Sequence, residues 1–206
     1  MEQTSQKSHN HYDPEASKIG MWLFIFTELL LFGGLFIIYS IYRFLNQEAF
    51  HLGGQEMDLT IGAANTVILL VSSMTIAMST SALQKKNKKL TLILIGITFL
   101  LGIVFLINKY YEWGVKFEHG IWPGSEHLDN DLSEGEILFF GLYFVMTGLH
   151  ALHIMVGMGV MSFAFVRVVR GTVNPERPSL LENAGLYWHL VDIIWIFLFP
   201  LFYLIT

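Results

Sequence analysis

One apolar run, residues 19–42 (IGMWLFIFTELLLFGGLFIIYSIY), limits what this chain can fold into more than any other stretch. It is 24 residues long and carries a single charge, Glu28. At about 1.5 Å of helical rise per residue, roughly 20 residues cross a hydrocarbon core, so the run spans a bilayer with some tilt. A carboxylate at that depth costs roughly several kcal/mol unless it is protonated, paired or wetted. Glu28 is therefore expected to face protein, headgroups or water rather than acyl chains.

Four further runs follow, at about 59–83, 90–110, 137–166 and 184–205. With 53% hydrophobic and 14% charged residues and a mean hydropathy of +0.52, the chain reads as an all-α polytopic membrane protein, a bundle of five transmembrane helices with no room for a soluble catalytic module. The organisation expected is a polar tail, 1–17, and one membrane unit, 18–206. The tail is too polar for a cleavable signal, and its His9 and His11 read as solvated rather than as metal ligands. Zero cysteines exclude disulfides, thiolate ligands, iron–sulfur clusters and cysteine nucleophiles.

The connections carry the charge. Residues 45–58 form a short acidic loop with Glu48, Glu56 and Asp58. Residues 84–89 (QKKNKK) are basic. Residues 115–135 form the longest loop, with Glu118, Glu126, Asp129, Asp131 and Glu134. A turn at 171–178 follows Arg167 and Arg170. Placing the N-terminus in the cytoplasm puts nine of the twelve basic residues inside (Lys7, Lys18, Lys85, Lys86, Lys88, Lys89, Arg167, Arg170, Arg177) and the acidic loops outside. The positive-inside rule thus predicts N-in, C-out. Span four is longer than a bilayer and is expected to tilt or project. Ser73, Ala77 and Ser81 make a small-residue stripe that predicts close helix packing. Lys109, Tyr110, Tyr111, Glu112 and Trp113 at the end of span three read as an interfacial anchor with a snorkelling lysine. No internal repeat stands out, which weakens an inverted-repeat transporter.

Besides Glu28, three groups lie at or near membrane depth. His150 and His153 are three apart in span four and so share a helix face; His189 and Asp192 are three apart in span five; Glu182 lies just before span five. Three readings compete. A metal or haem site could draw ligands from His150, His153 and His189, yet di-iron membrane sites need more histidines and bis-His haem helices come as repeated patterns. A proton or ion path could run through Glu28, His150, His153, His189 and Asp192. The plainest reading is structural: imidazoles and Asp192 making interhelical hydrogen bonds worth about 1 kcal/mol each, beside the small residues Gly148, Ala151 and Gly157.

These residues also fall in familiar strings. Phe26-Thr-Glu28 through Phe36, Asn65-Thr66 with Ser72-Ser73-Met-Thr75, Tyr110-Tyr-Glu112-Trp, Gly148-Leu-His150-Ala-Leu-His153 with Gly157, and Tyr187-Trp-His189-Leu-Val-Asp192-Ile-Ile-Trp195-Ile-Phe197 run in order over about 20–203. Together they resemble subunit III of haem-copper oxidases, in its short five-helix form. The sequence departs from that family at Lys109, where many members carry an acid. The resemblance implies an accessory, non-redox subunit of a respiratory terminal oxidase in a bacterial cytoplasmic membrane. Such a subunit has no catalytic residue, metal or cofactor of its own, the haems and copper residing in partner subunits. It implies packing on subunit I beside subunit II and other respiratory subunits, phospholipid held in a helix cleft, no nucleic acid, and support of proton uptake and turnover stability. It carries over Glu28 as a lipid- or proton-linked residue and His150, His153, His189, Asp192 and Glu182 as the polar motif residues. The electron donor, cytochrome c or quinol, stays open, since its site lies in other subunits. A relative associated with nitric oxide reductase and, from a different class, a stand-alone proton-coupled transporter or channel remain the alternatives.

Overall fold

A computed structural model describes residues 14–125 and 132–205. His9, His11 and Lys7 of the tail, and Glu126, Asp129 and Asp131 of the long loop, lie outside the described residues. Over the described residues the chain is helical: α1 (Pro14–Leu45), α2 (Gln47–Gln55), α3 (Leu59–Gln84), α4 (Lys88–Glu118), α5 (Glu134–Val169) and α6 (Ser179–Tyr203). All but α2 are long and apolar enough to cross a membrane. They alternate in direction, so one end of the bundle gathers Lys18, the 85–89 lysines, Arg167, Arg170 and Arg177. The other end gathers the described acids of the connections, Glu48, Glu56, Asp58, Glu118 and Glu134.

Helix ends follow local chemistry. Asp58 caps α3 by accepting from the backbone N–H groups of Thr60 and Ile61 at 2.8 and 3.2 Å. Asn87 accepts from Leu90 N–H to start α4. Ser133 and Glu136 form a reciprocal capping box at α5. The tight α3–α4 turn puts Lys86 at φ 60°, and Gly171, at φ 75°, ends α5.

Several boundaries differ from the sequence reading. The segment 45–58 is not a loop: it contains α2, which buries Phe50 against Tyr39 and Phe139. Gly53 allows this, because a Cβ there would stand 2.4 Å from the Phe139 ring. The first helix begins at Pro14, inside the expected tail; proline's fixed φ suits a first turn. α4 continues to Glu118, well past the expected span. α5, at 36 residues, is longer than a bilayer needs. α6 begins at Ser179, so Glu182 sits in its first turn rather than before it.

α6 is the central helix and α1 the peripheral one. In their most apolar stretches 56% of α6 is buried within the protein but only 6% of α1. Trp188 and Trp195, both fully buried, are the largest side chains of the core. Each indole N–H is satisfied by a hydroxyl of α3: Trp188 donates to Ser72 Oγ at 2.9 Å and Trp195 to Thr66 Oγ1 at 3.0 Å. α5 reaches α6 at Gly157, where a Cβ would lie 2.9–3.1 Å from the rings of Tyr187 and Trp188.

Of the Ser73–Ala77–Ser81 stripe, Ser73 meets α6 through His189, while Ala77 and Ser81 are exposed and seat no helix. The buried face of α3 instead runs through Asn65, Leu69, Ser72, Ile76 and Ser79. Ala77 opens onto a cleft of about 400 Å³ between α1, α3 and α6, lined also by Lys18, Trp22, Thr80, Glu182, Asn183 and His189.

Candidate functional site

Glu28 faces protein. Its Oε2 lies 2.8 Å from Nε2 of His153, joining α1 to α5 across 125 residues of sequence. The two side chains are 13% and 12% exposed. The other imidazole nitrogen, Nδ1, lies 2.7 Å from the Leu149 carbonyl, which can only accept, so Nδ1 carries a proton. One further proton then lies between Nε2 and the carboxyl oxygen. The acid and the ring thus meet as a hydrogen-bonded pair, which is how two ionisable groups are accommodated at membrane depth. Phe32 edges the imidazole at 5.3 Å, and the Tyr187 hydroxyl donates to the His153 carbonyl at 3.0 Å. Above and below this pair α1 is held by Ser17, which accepts from Asn183 at 2.8 Å, by Phe24 stacked on Tyr187, and by the Tyr39 hydroxyl, which donates to the Leu201 carbonyl near the end of α6.

His150 and His153 do not act together. His150 is 0% exposed, stacked on Trp195 with ring centres 5.3 Å apart and edge-on to Phe105 at 5.6 Å. Neither of its nitrogens has a hydrogen-bond partner among the described residues, so the expected interhelical bond is absent at this residue. Tight aromatic packing from α4 and α6 takes its place. His189 does bridge helices: its Nδ1 lies 2.7 Å from Ser73 Oγ on α3. Asp192, 3% exposed, lies in electrostatic reach of the same hydroxyl, but neither carboxyl oxygen meets hydrogen-bond geometry. Glu182 lines the cleft and stands apart from His150 and His153. The polar motif residues thus form separate groups rather than one network.

A second constellation was misread from sequence. Lys109 does not snorkel: it is 3% exposed and points into the bundle, and Glu112 is 5% exposed. The Lys109 ammonium donates to Glu112 Oε2 at 3.0 Å, to the Tyr143 hydroxyl at 3.0 Å and to the Tyr203 hydroxyl at 2.9 Å. Both tyrosines in turn donate to Glu112 Oε1, at 2.6 and 2.5 Å. The ammonium also lies 4.9 to 5.6 Å from the ring centres of Tyr143, Trp195 and Tyr203. Lys116 continues the same face and donates to the Glu56 carbonyl at the end of α2. The missed signal is spacing: positions 109, 112 and 116 are i, i+3 and i+7 and share one face. Tyr110 and Tyr111, 77% and 68% exposed, lie on the other face, where interfacial aromatics belong.

Fold and site together define an integral-membrane helical subunit whose ionisable groups turn inward. Among its described residues no group of three or more His, Asp or Glu converges as metal ligands. The family model described as cytochrome c oxidase subunit III matches residues 1–206, and the chain belongs to that family. It is 31% identical over 199 residues to cytochrome c oxidase subunit 3 of Thermostichus vulcanus, covering 96% of this chain and 92% of the relative. It is 30% identical over 200 residues to a probable quinol oxidase subunit 3 of Staphylococcus saprophyticus, covering 97% and 92%. Over 204 residues it is 30% identical to a haem-copper oxidase subunit I+III of Aeropyrum pernix, matching 96% of this chain and 24% of that longer protein. The chain is accordingly an accessory subunit of a haem-copper oxidase complex.

Proposed function

We propose that this chain packs on the catalytic subunit I of its oxidase, beside subunit II, in a bacterial cytoplasmic membrane with its basic end in the cytoplasm. There it supports proton uptake and keeps the enzyme active through repeated turnover. The observation that carries this reading is the family match over residues 1–206, taken with the Glu28–His153 pair that holds the peripheral helix to the bundle. The fusion of subunits I and III in the Aeropyrum relative supports contact with subunit I. The basic end, with the 85–89 lysines, Arg167, Arg170 and Arg177, supports the orientation. The haems and copper belong to the partner subunits, and phospholipid occupies the cleft beside α1. Relatives named for both cytochrome c and quinol oxidases fit a subunit that does not itself choose the electron donor.

In this reading Glu28 and His153 set how firmly α1 is held. The test is purification through a tag on this chain, a reduced-minus-oxidised spectrum of what co-elutes, and the activity lifetime of the enzyme during turnover. Haem bands with a large polytopic partner, and a shorter active lifetime in Glu28→Gln, are expected. A colourless chain eluting alone, or an unchanged lifetime in that variant, would sink the proposal; proton flux by the isolated chain in liposomes would replace it with a transporter.

A further inference from the structure

At the acidic end of the bundle, Arg43 has no acidic partner among the described residues. Lys109 and Lys116 at that end are buried and engaged, but Arg43 is exposed. It lines a hollow of about 470 Å³ between α1, α2 and α6, together with Tyr39, Ser40, Gln47, His51 and Leu201. A second hollow, of about 440 Å³, runs along α1 over Phe36, Ile37, Ile41 and Leu45. The two share Ser40 and Phe44 and therefore adjoin, a polar chamber opening onto an apolar groove. No Asp or Glu lines either of them. We propose that the joined hollow binds an anionic phospholipid of the leaflet at the acidic end, with its phosphodiester on Arg43, Gln47 and His51 and one acyl chain over Phe36, Ile37 and Ile41.

The physical case starts from depth. The apolar run of α1 ends at Tyr42, so Arg43 lies where hydrocarbon gives way to headgroups, with the polar chamber on one side and the groove on the other. A phosphodiester only accepts hydrogen bonds, and the planar fork of a guanidinium suits two of its oxygens at once. The other polar walls sort into committed and free groups. The Tyr39 hydroxyl donates to the Leu201 carbonyl and the Ser40 hydroxyl to the Phe36 carbonyl, which leaves Arg43, Gln47 and His51 as donors. The Gln55 amide nitrogen lies 3.0 Å from Nε2 of His51; an amide nitrogen donates, so the ring proton sits on Nδ1 and remains on offer. Gln47 and His51 are four apart on one face of α2, which Phe50 anchors against Tyr39 and Phe139. The ammonium of a zwitterionic headgroup would meet no acid in the chamber and would stand beside Arg43, so the site selects net negative charge. It shares no residue with the cleft at Ala77, and a lipid seated in it bridges α1 to α2 and α6 at the end of α1 remote from Ser17. The inference requires the chain to sit in a bilayer and does not depend on the oxidase reading.

The test places the full chain, alone and with the partners that co-purify with it, in phosphatidylcholine discs containing phosphatidylglycerol with a photoactivatable acyl chain. After illumination, adducts are mapped by peptide mass spectrometry. Adducts on residues 36–45 are expected, suppressed by unlabelled phosphatidylglycerol and not by the same amount of extra phosphatidylcholine. Below saturation, Arg43→Gln should lower that labelling about tenfold, as expected for loss of one charge-assisted contact, and Arg43→Lys should restore part of it. Arg43 is exposed and unpaired, so the variants are read in a folded chain, and the competition between the two lipids needs no variant at all. Equal labelling in Arg43→Gln, or equal suppression by phosphatidylcholine, overturns the proposal. Labelling of the isolated chain that disappears in the co-purified complex also overturns it, by showing that a protein partner fills the hollow.

Discussion

The acidic end and the middle of the bundle solve the same problem in opposite ways. At the acidic end, the three protons of the Lys109 ammonium go to Glu112, Tyr143 and Tyr203, and both tyrosine protons go to the remaining oxygen of Glu112. Every donor has an acceptor, and α4, α5 and α6 are tied at one point. In the middle of the bundle, His150 and Asp192 are equally buried yet make no hydrogen bond among the described residues. A closed network of this kind fixes geometry, since removing one member strands the others. An open group ties no helices together through hydrogen bonds. The difference shows that burial alone does not assign a role to a polar residue in this bundle; the completeness of its shell does.

The comparison can be broken most directly at Lys109. Lys109→Met leaves the Glu112 carboxylate buried without its cation and is expected to destabilise the chain by about 3–5 kcal/mol, read as lost resistance to denaturing detergent. The double variant Lys109→Met with Glu112→Gln should recover part of that loss; a double variant as unstable as the single would mean the pair is not the source. At the α5–α6 contact, Gly157→Ala presses a methyl group into the Tyr187 and Trp188 rings and should cost about 1–3 kcal/mol in the same assay. Tyr143→Phe keeps the ring but deletes one hydroxyl of the closed network, for about 1–2 kcal/mol. His153→Phe is expected to cost about 1–2 kcal/mol and to loosen α1 alone. That loosening would appear as slower disulfide formation between cysteines placed at 17 and 183, with the Lys109 region unaffected. The smallest effect should come from His150→Phe, whose ring packs in place of the imidazole and breaks no bond: a change within about 1 kcal/mol either way. A large loss in that variant would show that His150 belongs with the closed network after all.

The five spans were legible because apolar length alone specifies them, and their order followed the chain. Residue-level partners were less so. α2 was hidden because its nine residues, QEAFHLGGQ, are polar enough to read as loop; only docking of Phe50 and the two glycines makes them a helix. Lys109 was misplaced because the tyrosines beside it belong at an interface, and adjacency outweighed the three-residue spacing to Glu112. His150 and His153 share a helix face, yet the 60° between them is enough to hand one to α6 and the other to α1. That choice depends on which helices arrive, and no pattern within span four encodes it. The hydroxyls that complete the contacts of Trp188 and His189, Ser72 and Ser73, looked like packing residues until α6 was placed beside α3.

The Glu28–His153 pair also has a consequence for the order of assembly. Synthesis runs from the N-terminus to the C-terminus, so α1 enters the membrane before α5, with its carboxyl group and no partner. The imidazole that pairs with it arrives 125 residues later. Until then α1 has little apolar reason to choose the bundle over the surrounding lipid, because so little of its surface is buried by its neighbours. α1 is therefore made well before it can be fastened here, and the Glu28–His153 contact reports that α5 has been threaded in the correct direction and to the correct depth.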